Sequence, residues 1–263
     1  MATAVICEFN PFHNGHKYLL ESAKNVLKEP VIAIMSGSFT QRGEVAVCDK
    51  FVRAKSALEN GADLVLELPV VFSLSGAEGF AKAGVAIASA FDCTNHLAFG
   101  SESGDCELLK KSANAVCDER VQALVRDGMK NGGYYPRELE NAVKTVFGDE
   151  ISSVLCEPNN ILGVEYIKAL NGTGVEPFSV ARTGVAHDSR IAGEGFASAS
   201  HIREMLRNGE NAKKYAPYIP DEITFPENLD RPLLYRLRTM TREDIAKLPD
   251  VGEGLENRIA DAA

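Results

Sequence analysis

Two histidines, His13 and His16, flank Asn14 and Gly15 in the stretch "FNPFHNGHKYLL". An apolar run precedes this stretch and a helical pattern follows it, so the sequence predicts a turn from a β-strand into an α-helix. Backbone N–H groups and the helix dipole favour an anion at such a turn, and a glycine lets a ligand approach the backbone. Neutral imidazoles also donate hydrogen bonds to phosphate oxygens. We therefore predict that the two histidines hold a polyphosphate.

The spacing of the histidines leaves two other interpretations open. Two imidazoles three residues apart could bind a metal ion, although no third ligand lies nearby in the sequence. The turn could instead be purely structural and cap the following helix. We predict no metal site made by protein side chains, because such a site needs more ligands than this stretch supplies.

Short apolar strands alternate with helical patterns over residues 1–100. The predicted strands are Thr3–Cys7, Val31–Met35, Asp63–Glu67 and His96–Phe99, and the predicted helices are His16–Lys28, Lys50–Asn60 and Ser75–Ala90. This alternation predicts an α/β fold with a parallel sheet that has helices on both faces. Ligands of such folds bind at the carboxyl ends of the strands, where "NPFHNGH", "SGSFTQRGE" and "FGSESG" fall. The strand in "GADLVLELP" is expected to be buried.

The composition is ordinary for a globular protein. Apolar residues make up 45% and charged residues 25% of the 263 positions. The six cysteines include no C-x-x-C pair, which favours reduced thiols over a disulfide framework or a zinc site. No apolar run reaches the ~18 residues that span a bilayer, so we expect a cytoplasmic protein with no membrane partner. The net charge of −9 argues against extensive basic patches, although a local basic face can still bind nucleic acid.

The patterns along the chain predict three regions. Residues 1–216 are predicted to form the α/β domain, in which residues 106–147 are a mainly helical insertion. Residues 217–230, within the proline-punctuated "YAPYIPDEITFPENLDRP", are predicted to be a linker. Residues 231–263 are helical and of different character, which predicts the start of a helical C-terminal domain.

The first turn and a late helix together resemble a known superfamily. H-x-G-H after a first strand, paired with S-S-T-x-I-R at the start of a late helix, is the signature of the class I nucleotidyltransferase-like superfamily. The late motif reads "SASHIR" here, with Ala199 and Ser200 as mild departures and Arg203 in the expected place. The resemblance implies a Rossmann-like fold whose members bind ATP, react at its α-phosphate and release pyrophosphate. It also implies catalytic roles for His13, His16, Ser200 and Arg203.

Longer stretches are similar to one family within that superfamily. "AVICEFNPFHNGHKYLL", "SGSFTQRGEVAVCDKFVRAKSALENGADLVLELP", "FGSES" and "PNNILGVEYIKAL" resemble the bacterial tRNA(Met) cytidine acetate ligases, as do "LLYRLRTM" and "EGLENRI". The resemblance implies that ATP, with Mg²⁺ on its phosphates, activates acetate to acetyl-adenylate. The acetyl group then passes to N4 of the wobble cytidine of elongator tRNA(Met), giving N4-acetylcytidine. Family members continue further, so residues 231–263 are expected to be the start of a truncated RNA-binding domain.

The resemblance also assigns an ATP site residue by residue. The assigned positions are Ile6, Cys7, Glu8, Phe9, Asn10, Pro11, Phe12, His13, Asn14, Gly15, His16, Lys17, Tyr18, Leu19, Gly100, Asn159 and Arg182. Gly100 ends a predicted strand, where a missing side chain admits a nucleotide. Asn159 can pair with a base or ribose edge, or can act only as a helix N-cap. Arg182 can reach a phosphate, or can simply be solvated.

A cluster of polar side chains follows the second predicted strand. Its members are Gln41, Arg42, Lys50, Arg53 and Lys55. Their place at the carboxyl end of a strand favours contact with the ATP γ-phosphate or the RNA over a merely solvated surface. The lone His96 and His187 are expected to be structural, with His187 close enough to Arg182 in the sequence to line the same cleft.

The last segment contains a candidate nucleic-acid element. "IAKLPDVGEGLENRIADAA" resembles a helix-hairpin-helix, whose turn presents backbone N–H groups to a phosphate. The pattern falls on Val251, Gly252, Gly254, Leu255 and Ile259, and the arginines upstream of it are Arg231, Arg236, Arg238 and Arg242. Phosphate contact by such a segment is independent of base sequence and sensitive to salt. An ordinary pair of antiparallel helices is the alternative interpretation.

Three functions of different kinds fit these features. The first is the acetate ligase, the second is adenylyl transfer to a small phosphorylated metabolite, and the third is a non-catalytic RNA-binding module gated by a nucleotide. The complete set of His13, His16, Ser200 and Arg203 argues against the third. The C-terminal element argues against the second, because a metabolite enzyme has no need of a nucleic-acid hairpin. The sequence leaves the oligomeric state open.

Overall fold

The structure, a computed structural model, describes residues 1–182 and 195–263. Contacts divide the chain into two compact units, Met1–Ile223 and Thr224–Ala263. The boundary lies inside the predicted linker 217–230, and the functions assigned to the predicted domains stay predictions. A search of the described residues finds no helix that is long and apolar enough to cross a membrane.

A parallel sheet forms the centre of the first unit. Its strands are β1 (Ala2–Cys7), β2 (Val31–Ser36), β3 (Leu64–Leu68), β4 (Thr94–Ser101) and β5 (Glu176–Ala181). Their order across the sheet is β3-β2-β1-β4-β5, and each neighbouring pair is parallel. The predicted α/β fold with a parallel sheet is confirmed. In this strand order the carboxyl ends of β1 and β4 lie side by side near the middle of the sheet.

Helices cover the sheet and form the insertion. The helices of this unit are α1 (Asn14–Leu27), α2 (Lys50–Glu59), α3 (Val70–Ser73), α4 (Ala77–Ser89), α5 (Cys106–Cys117), α6 (Glu119–Lys130), α7 (Tyr135–Phe147), α8 (Asp149–Ser153), α9 (Pro158–Leu170) and α10 (Ala199–Arg207). The predicted helical insertion is confirmed: Asp105 and Asp118 cap α5 and α6 with side-chain hydrogen bonds to backbone N–H groups. The helix predicted at 75–90 begins later, at Ala77, after the N-cap residue Gly76.

Alternating strand side chains build an apolar core on each face of the sheet. Ile6 of β1 packs in one cluster with Phe80 of α4 and Tyr166 of α9. Its neighbour Val5 points to the opposite face and packs in a second cluster with Leu20 of α1. Burial of apolar area at about 25 cal/mol per Å² is the main force that holds these layers together. The two clusters hold β1 in place from both faces of the sheet, and they thereby hold the position of the turn that follows it.

The expectation that the β3 segment is buried is wrong. β3 lies at the edge of the sheet with β2 as its one neighbour, and Leu64 is exposed whereas Leu68 is buried. The apolar run shows that the segment is a strand, but strand order decides how many neighbours it has. Asp63 accepts the backbone N–H of Val31 at 2.7 Å, and Glu67 pairs with Lys50 at 2.6 Å. Both acids therefore support the edge of the sheet.

The second unit is helical. Its helices are α11 (Asp230–Arg238), α12 (Arg242–Ile245) and α13 (Leu255–Ala262), preceded by a 3₁₀ turn at Pro226–Leu229. Gly254, the N-cap residue of α13, has a φ of +86°, which favours glycine. Arg242 donates to Asn257 at 2.9 Å and pairs with Asp261 at 2.6 Å, which joins α12 to α13. Two helices joined by a turn thus lie where the helix-hairpin-helix was predicted, and a role in nucleic-acid binding stays a prediction.

A buried carboxylate ties the amino-terminal ends of β1 and β4 together. Glu29, whose side chain is 9% exposed, accepts hydrogen bonds from Thr3 at 2.7 Å and Asn95 at 3.3 Å, and lies 3.0 Å from Nδ1 of His96. His96 therefore has a structural role, as expected from the sequence. Burial raises the pKa of the Glu29 carboxyl, but the hydrogen bonds from Thr3 and His96 outweigh burial and leave its pKa lowered.

Glu29→Gln should lower the free energy of unfolding by about 1–3 kcal/mol at pH 7, because hydrogen bonds to a charged acceptor are lost. A lowered folded-state pKa means that the contribution is present above the unfolded-state pKa and is lost as pH falls through the folded-state pKa. Urea denaturation at pH 7 and in the acid range below the ordinary glutamate pKa tests this. The gap between variant and wild type should shrink in acid, and a pH-independent gap would contradict the argument. Glu21→Gln, on the exposed face of α1, is the control.

Candidate active site

A cavity of about 400 Å³ lies at the carboxyl ends of the central strands. Residues of the first turn, of β4 and β5, and of α9 and α10 all line it. The predicted site residues in its lining are Ile6, Cys7, Glu8, Phe9, Asn10, His13, Gly15, His16, Tyr18, Leu19, Gly100, Asn159, Arg182, Ser200 and Arg203. The fold thus brings together the two motifs and the three isolated positions that were assigned separately from the sequence.

Four assigned residues of the first turn lie outside the lining and support it. They are Pro11, Phe12, Asn14 and Lys17. Phe12 is buried, with its ring 4.9 Å from that of Phe9 in an edge-on contact. Asn14 donates its side-chain N–H groups to the carbonyl oxygens of Gly195 at 2.8 Å and Lys214 at 3.0 Å. Phe12 and Asn14 therefore help to fix the turn, and the ATP contacts that the resemblance assigns to these four residues stay predictions.

The two histidines are oriented by backbone hydrogen bonds. His13 is the N-cap residue of α1, and its Nδ1 accepts the N–H of Gly15 at 3.0 Å. Nδ1 of His16 accepts the backbone N–H of His13 at 3.3 Å. Because each Nδ1 is an acceptor, the neutral form of each ring carries its proton on Nε2. Both rings therefore present an Nε2–H donor, which suits a phosphate oxygen.

His16 is a neutral donor. Burial lowers its pKa well below the ordinary value, and the nearby His13 and Arg182 lower it further. The His13 and His16 rings stack with their centroids 3.7 Å apart, and the Phe9 ring lies 4.9 Å from the His16 ring. An uncharged imidazole in this apolar contact avoids the cost of burying a charge and still donates a hydrogen bond.

The late motif reaches the first turn across the cavity. Ser198 is the N-cap residue of α10 and accepts the N–H of His201 at 3.1 Å, so the helix begins within the late motif "SASHIR". Ser200 and Arg203 lie in the first turns of α10, where backbone N–H groups favour an anion. Arg203 donates to the carbonyl oxygen of Asn10 at 2.9 Å and lies 3.7 Å from a Glu44 carboxylate oxygen.

The isolated assigned residues cluster around the end of β4. Asn159 donates its side-chain N–H to Glu102 at 2.6 Å, and the N-cap residue of α9 is Glu157, so the N-cap interpretation of Asn159 is wrong. Arg182 directly follows β5, and its backbone N–H donates to Ser101 at 3.0 Å. A Cβ on Gly100 would lie 3.5 Å from the Arg182 side chain, an ordinary van der Waals distance, so the two residues are direct neighbours.

The polar cluster predicted after β2 does not act as one group. Gln41 and Arg42 line the cavity. Lys50 pairs with Glu67 at 2.6 Å, outside the cavity, and Lys55 is exposed with its Nζ 3.8 Å from Glu59. The predicted phosphate or RNA contact is therefore not supported by the positions of Lys50 and Lys55, because the turns of α2 point these side chains away from the cavity.

Arg53 has a role that the sequence did not reveal. Its side chain is 1% exposed, and its guanidinium donates to the carbonyl oxygens of Glu8 at 2.6 Å, Ser36 at 3.1 Å and Cys48 at 3.3 Å, and also to that of Gly37. One buried cation thus joins the ends of β1 and β2 to the loop that precedes α2. The only signal in the sequence is that Arg53, Ser56 and Ala57 share the buried face of α2.

Other lining residues were missed because they occupy ordinary core positions. Phe80, Phe99, Leu162 and Tyr166 are such residues and give the cavity an apolar wall. Thr40 and Glu44 also line the cavity and belong to "SGSFTQRGE", the stretch that the sequence places at the strand ends. Apolar residues at helical spacing predict a core, and nothing local distinguishes a core wall from a cavity wall.

No group of three or more His, Cys, Asp or Glu side chains in residues 1–182 and 195–263 is arranged to hold a metal ion. A cation bound with a nucleotide here would take its ligands mainly from phosphate oxygens and water. The predicted contribution of His187 falls on a residue outside the described ones.

Comparisons with known proteins show the family of the chain. The family model described as HIGH Nucleotidyl Transferase matches residues 1–263. A tRNA(Met) cytidine acetate ligase of Caldanaerobacter subterraneus is 38% identical, over 100% of this chain and 70% of its own length. The chain belongs to the tRNA(Met) cytidine acetate ligase family. A relative of the same name from Thermosipho africanus is 35% identical, over 98% of this chain and 66% of its own length.

Two solved structures of Thermotoga maritima TmcAL have the same fold. The apo structure superposes with a TM-score of 0.90 and the structure bound with alpha-thio ATP with a TM-score of 0.88. Both are 34% identical and are matched over 99% of this chain and 67% of their own length. The resemblance seen in the sequence is therefore confirmed at the level of family and fold.

Gly15→Ala should weaken ATP binding by about tenfold or more. The free energy of unfolding should change little, because the helix propensity of alanine offsets the loss of the N-cap hydrogen bond to His13. A Cβ on Gly15 would lie 2.9 Å from Cε1 of His13, so the His13 ring must move, whereas alanine suits the helical backbone of α1. Titration calorimetry with ATP and urea denaturation measure the two effects. Asn25→Ala, on the exposed face of α1, is the control. Wild-type ATP affinity in Gly15→Ala would show that the position of the His13 ring is unimportant.

Proposed function

We propose that the chain binds ATP in this cavity and uses it to activate acetate as acetyl-adenylate. The acetyl group then passes to N4 of the wobble cytidine of elongator tRNA(Met), forming N4-acetylcytidine, a reaction of the cytoplasm. The observation that carries the proposal is the meeting of the His13–His16 turn with Arg203 at one cavity, in a chain of this family.

In the activation step, an acetate oxygen attacks the α-phosphorus and the bond to the β-phosphate oxygen breaks. The Nε2–H groups of His13 and His16 donate to phosphate oxygens and hold the triphosphate in place. Arg203 and the first turn of α10 at Ser200 compensate the charge that develops on the leaving pyrophosphate. Mg²⁺ on the phosphates, when bound, screens the charge of the triphosphate. Most of the catalytic effect of these residues is positioning and charge compensation.

The adenosine is proposed to lie at the other side of the cavity. Gly100 lines the cavity without a side chain and Arg182 stands next to it, so we place the nucleoside there. The Asn159 side-chain N–H is held by Glu102, which leaves its carbonyl oxygen oriented as an acceptor for an exocyclic amine or a ribose hydroxyl.

The second unit is proposed to contact the tRNA backbone. Arg242 pairs with Asp261, and Arg238 donates to the carbonyl oxygen of Ala263, so these two arginines hold the unit together. Arg231 and Arg236 lie exposed on α11. They are the members of the basic cluster best suited to phosphate contact.

The wild-type chain should exchange labelled pyrophosphate into ATP only when acetate is present, without tRNA. His16→Ala should reduce this exchange by about 100-fold or more, because an oriented donor to the triphosphate is removed. Circular dichroism checks that the fold is retained. Exchange that depends on a phosphorylated metabolite instead of acetate would overturn the proposal in favour of an adenylyltransferase. ATP binding with no exchange for any acceptor would favour a non-catalytic module.

The double variant Arg231→Gln/Arg236→Gln should bind tRNA more weakly and with a salt dependence about two units shallower in log–log slope. Pyrophosphate exchange should be unaffected, because both residues lie in the second unit. Filter binding at several salt concentrations measures the slope. Arg126→Gln/Lys130→Gln removes the same charge from exposed positions of α6 and serves as the control. An equal loss in both double variants would mean that only net charge matters.

A further inference from the structure

The carboxylate of Glu8 occupies a distinctive place in the cavity. Glu8 directly follows β1, its side chain is half-buried, and it lines the cavity together with His16 and Arg203. Its Oε1 accepts the backbone N–H of Gln41 at 2.6 Å, which fixes the carboxyl group beside the loop that precedes α2. Within the described residues this is the one hydrogen bond on the Glu8 carboxyl group. A carboxylate repels a triphosphate, so its presence in the proposed ATP cavity suggests a role other than phosphate binding.

Four other side chains of the described lining could in principle accept a proton, but each already carries one. The Nδ1 atoms of His13 and His16 accept backbone N–H groups, so Nε2 of each neutral ring holds the proton. The Cys7 thiol donates to the carbonyl oxygen of Ile34 at 3.6 Å, and burial raises its pKa well above the ordinary value. Burial also raises the pKa of Tyr166, which keeps its hydroxyl protonated.

The second carboxylate of the lining is less suited to take a proton. Glu44 lies 3.7 Å from the Arg203 guanidinium, and its side chain is 43% exposed. Glu8 thus combines a fixed orientation, access to the cavity and shelter from solvent.

We propose that Glu8 is a catalytic residue of the transfer step and accepts the proton of the attacking amine. The inference rests on the proposed function, because it takes the N4 amine of a cytidine as the nucleophile. The amine nitrogen forms a bond to the carbonyl carbon of acetyl-adenylate, and the bond between that carbon and the phosphate oxygen breaks. AMP leaves with the electron pair, the amine N–H proton passes to a Glu8 oxygen, and Glu8 later releases it to water.

The surroundings of Glu8 tune its basicity. Burial raises the pKa of the Glu8 carboxyl group. The hydrogen bond from the Gln41 N–H lowers this pKa, as do the positive charges of Arg203, Arg53 and Arg42. Burial is the largest effect, so the pKa is raised overall. Among the described residues, Cys7 and Tyr166 also lie near Glu8 and are protonated, and His16 in the same lining is neutral. A raised pKa makes the carboxylate a stronger base than an ordinary glutamate.

Glu8→Gln separates the two half-reactions. Glutamine retains a carbonyl oxygen for the Gln41 N–H but is no base, so transfer to tRNA should fall by about 100-fold or more. Hydroxylamine traps acetyl-adenylate without needing an enzymatic base, so acetate-dependent acetohydroxamate formation should fall far less, by about tenfold at most. Glu8→Asp should restore part of the transfer rate. Glu67→Gln, at the end of β3 and outside the cavity, is the matched control.

The dependence of the transfer rate on pH distinguishes a catalytic role of Glu8 from a structural one. In the wild type, the transfer rate at saturating substrates should fall with unit slope as pH drops below the pKa of Glu8, and Glu8→Gln should lose this acid limb. An unchanged acid limb in Glu8→Gln, or equal losses of hydroxamate formation and transfer, would overturn the inference and leave the proposed function intact. A wild-type chain that makes no acetate-dependent acetohydroxamate would instead overturn the proposed function itself.

Discussion

The site depends on two hydrogen bonds from the backbone to imidazole nitrogens. The N–H groups of Gly15 and His13 occupy Nδ1 of His13 and His16, and they thereby decide that each ring offers Nε2–H to the cavity. These bonds exist because α1 begins at this turn and its first N–H groups lack partners within the helix. The same feature that ends β1 and starts α1 thus sets the tautomer of the two histidines that line the cavity.

The buried side chain of Arg53 connects the end of β1 to the end of the neighbouring strand β2. Arg53 donates to main-chain carbonyl oxygens at the ends of β1 and β2, and no substitution by lysine could reproduce its planar fork. The cavity also carries the cations Arg42, Arg182 and Arg203, although the whole chain has a net charge of −9. Local charge at strand ends, and not overall charge, suits this face to an anionic ligand.

Much of the fold and part of the site follow from the sequence alone. Apolar runs and helical spacing predict β1, α1 and the parallel sheet, and the two motifs predict the lining histidines and Arg203. The exposure of Leu64, the ion pair of Lys50 and the burial of Arg53 could not be predicted. Each depends on strand order or on partners far away in the chain, about which a local pattern carries no information.

The contact between Arg203 and Asn10 has a consequence for biosynthesis. The two residues are separated by 193 positions, so the ribosome has made the β1–α1 turn long before it makes α10. A nascent chain that ends before α10 already contains the sequence of the histidine turn but lacks Arg203. The nucleotide site that we propose is therefore complete only when almost the entire first unit has been synthesised.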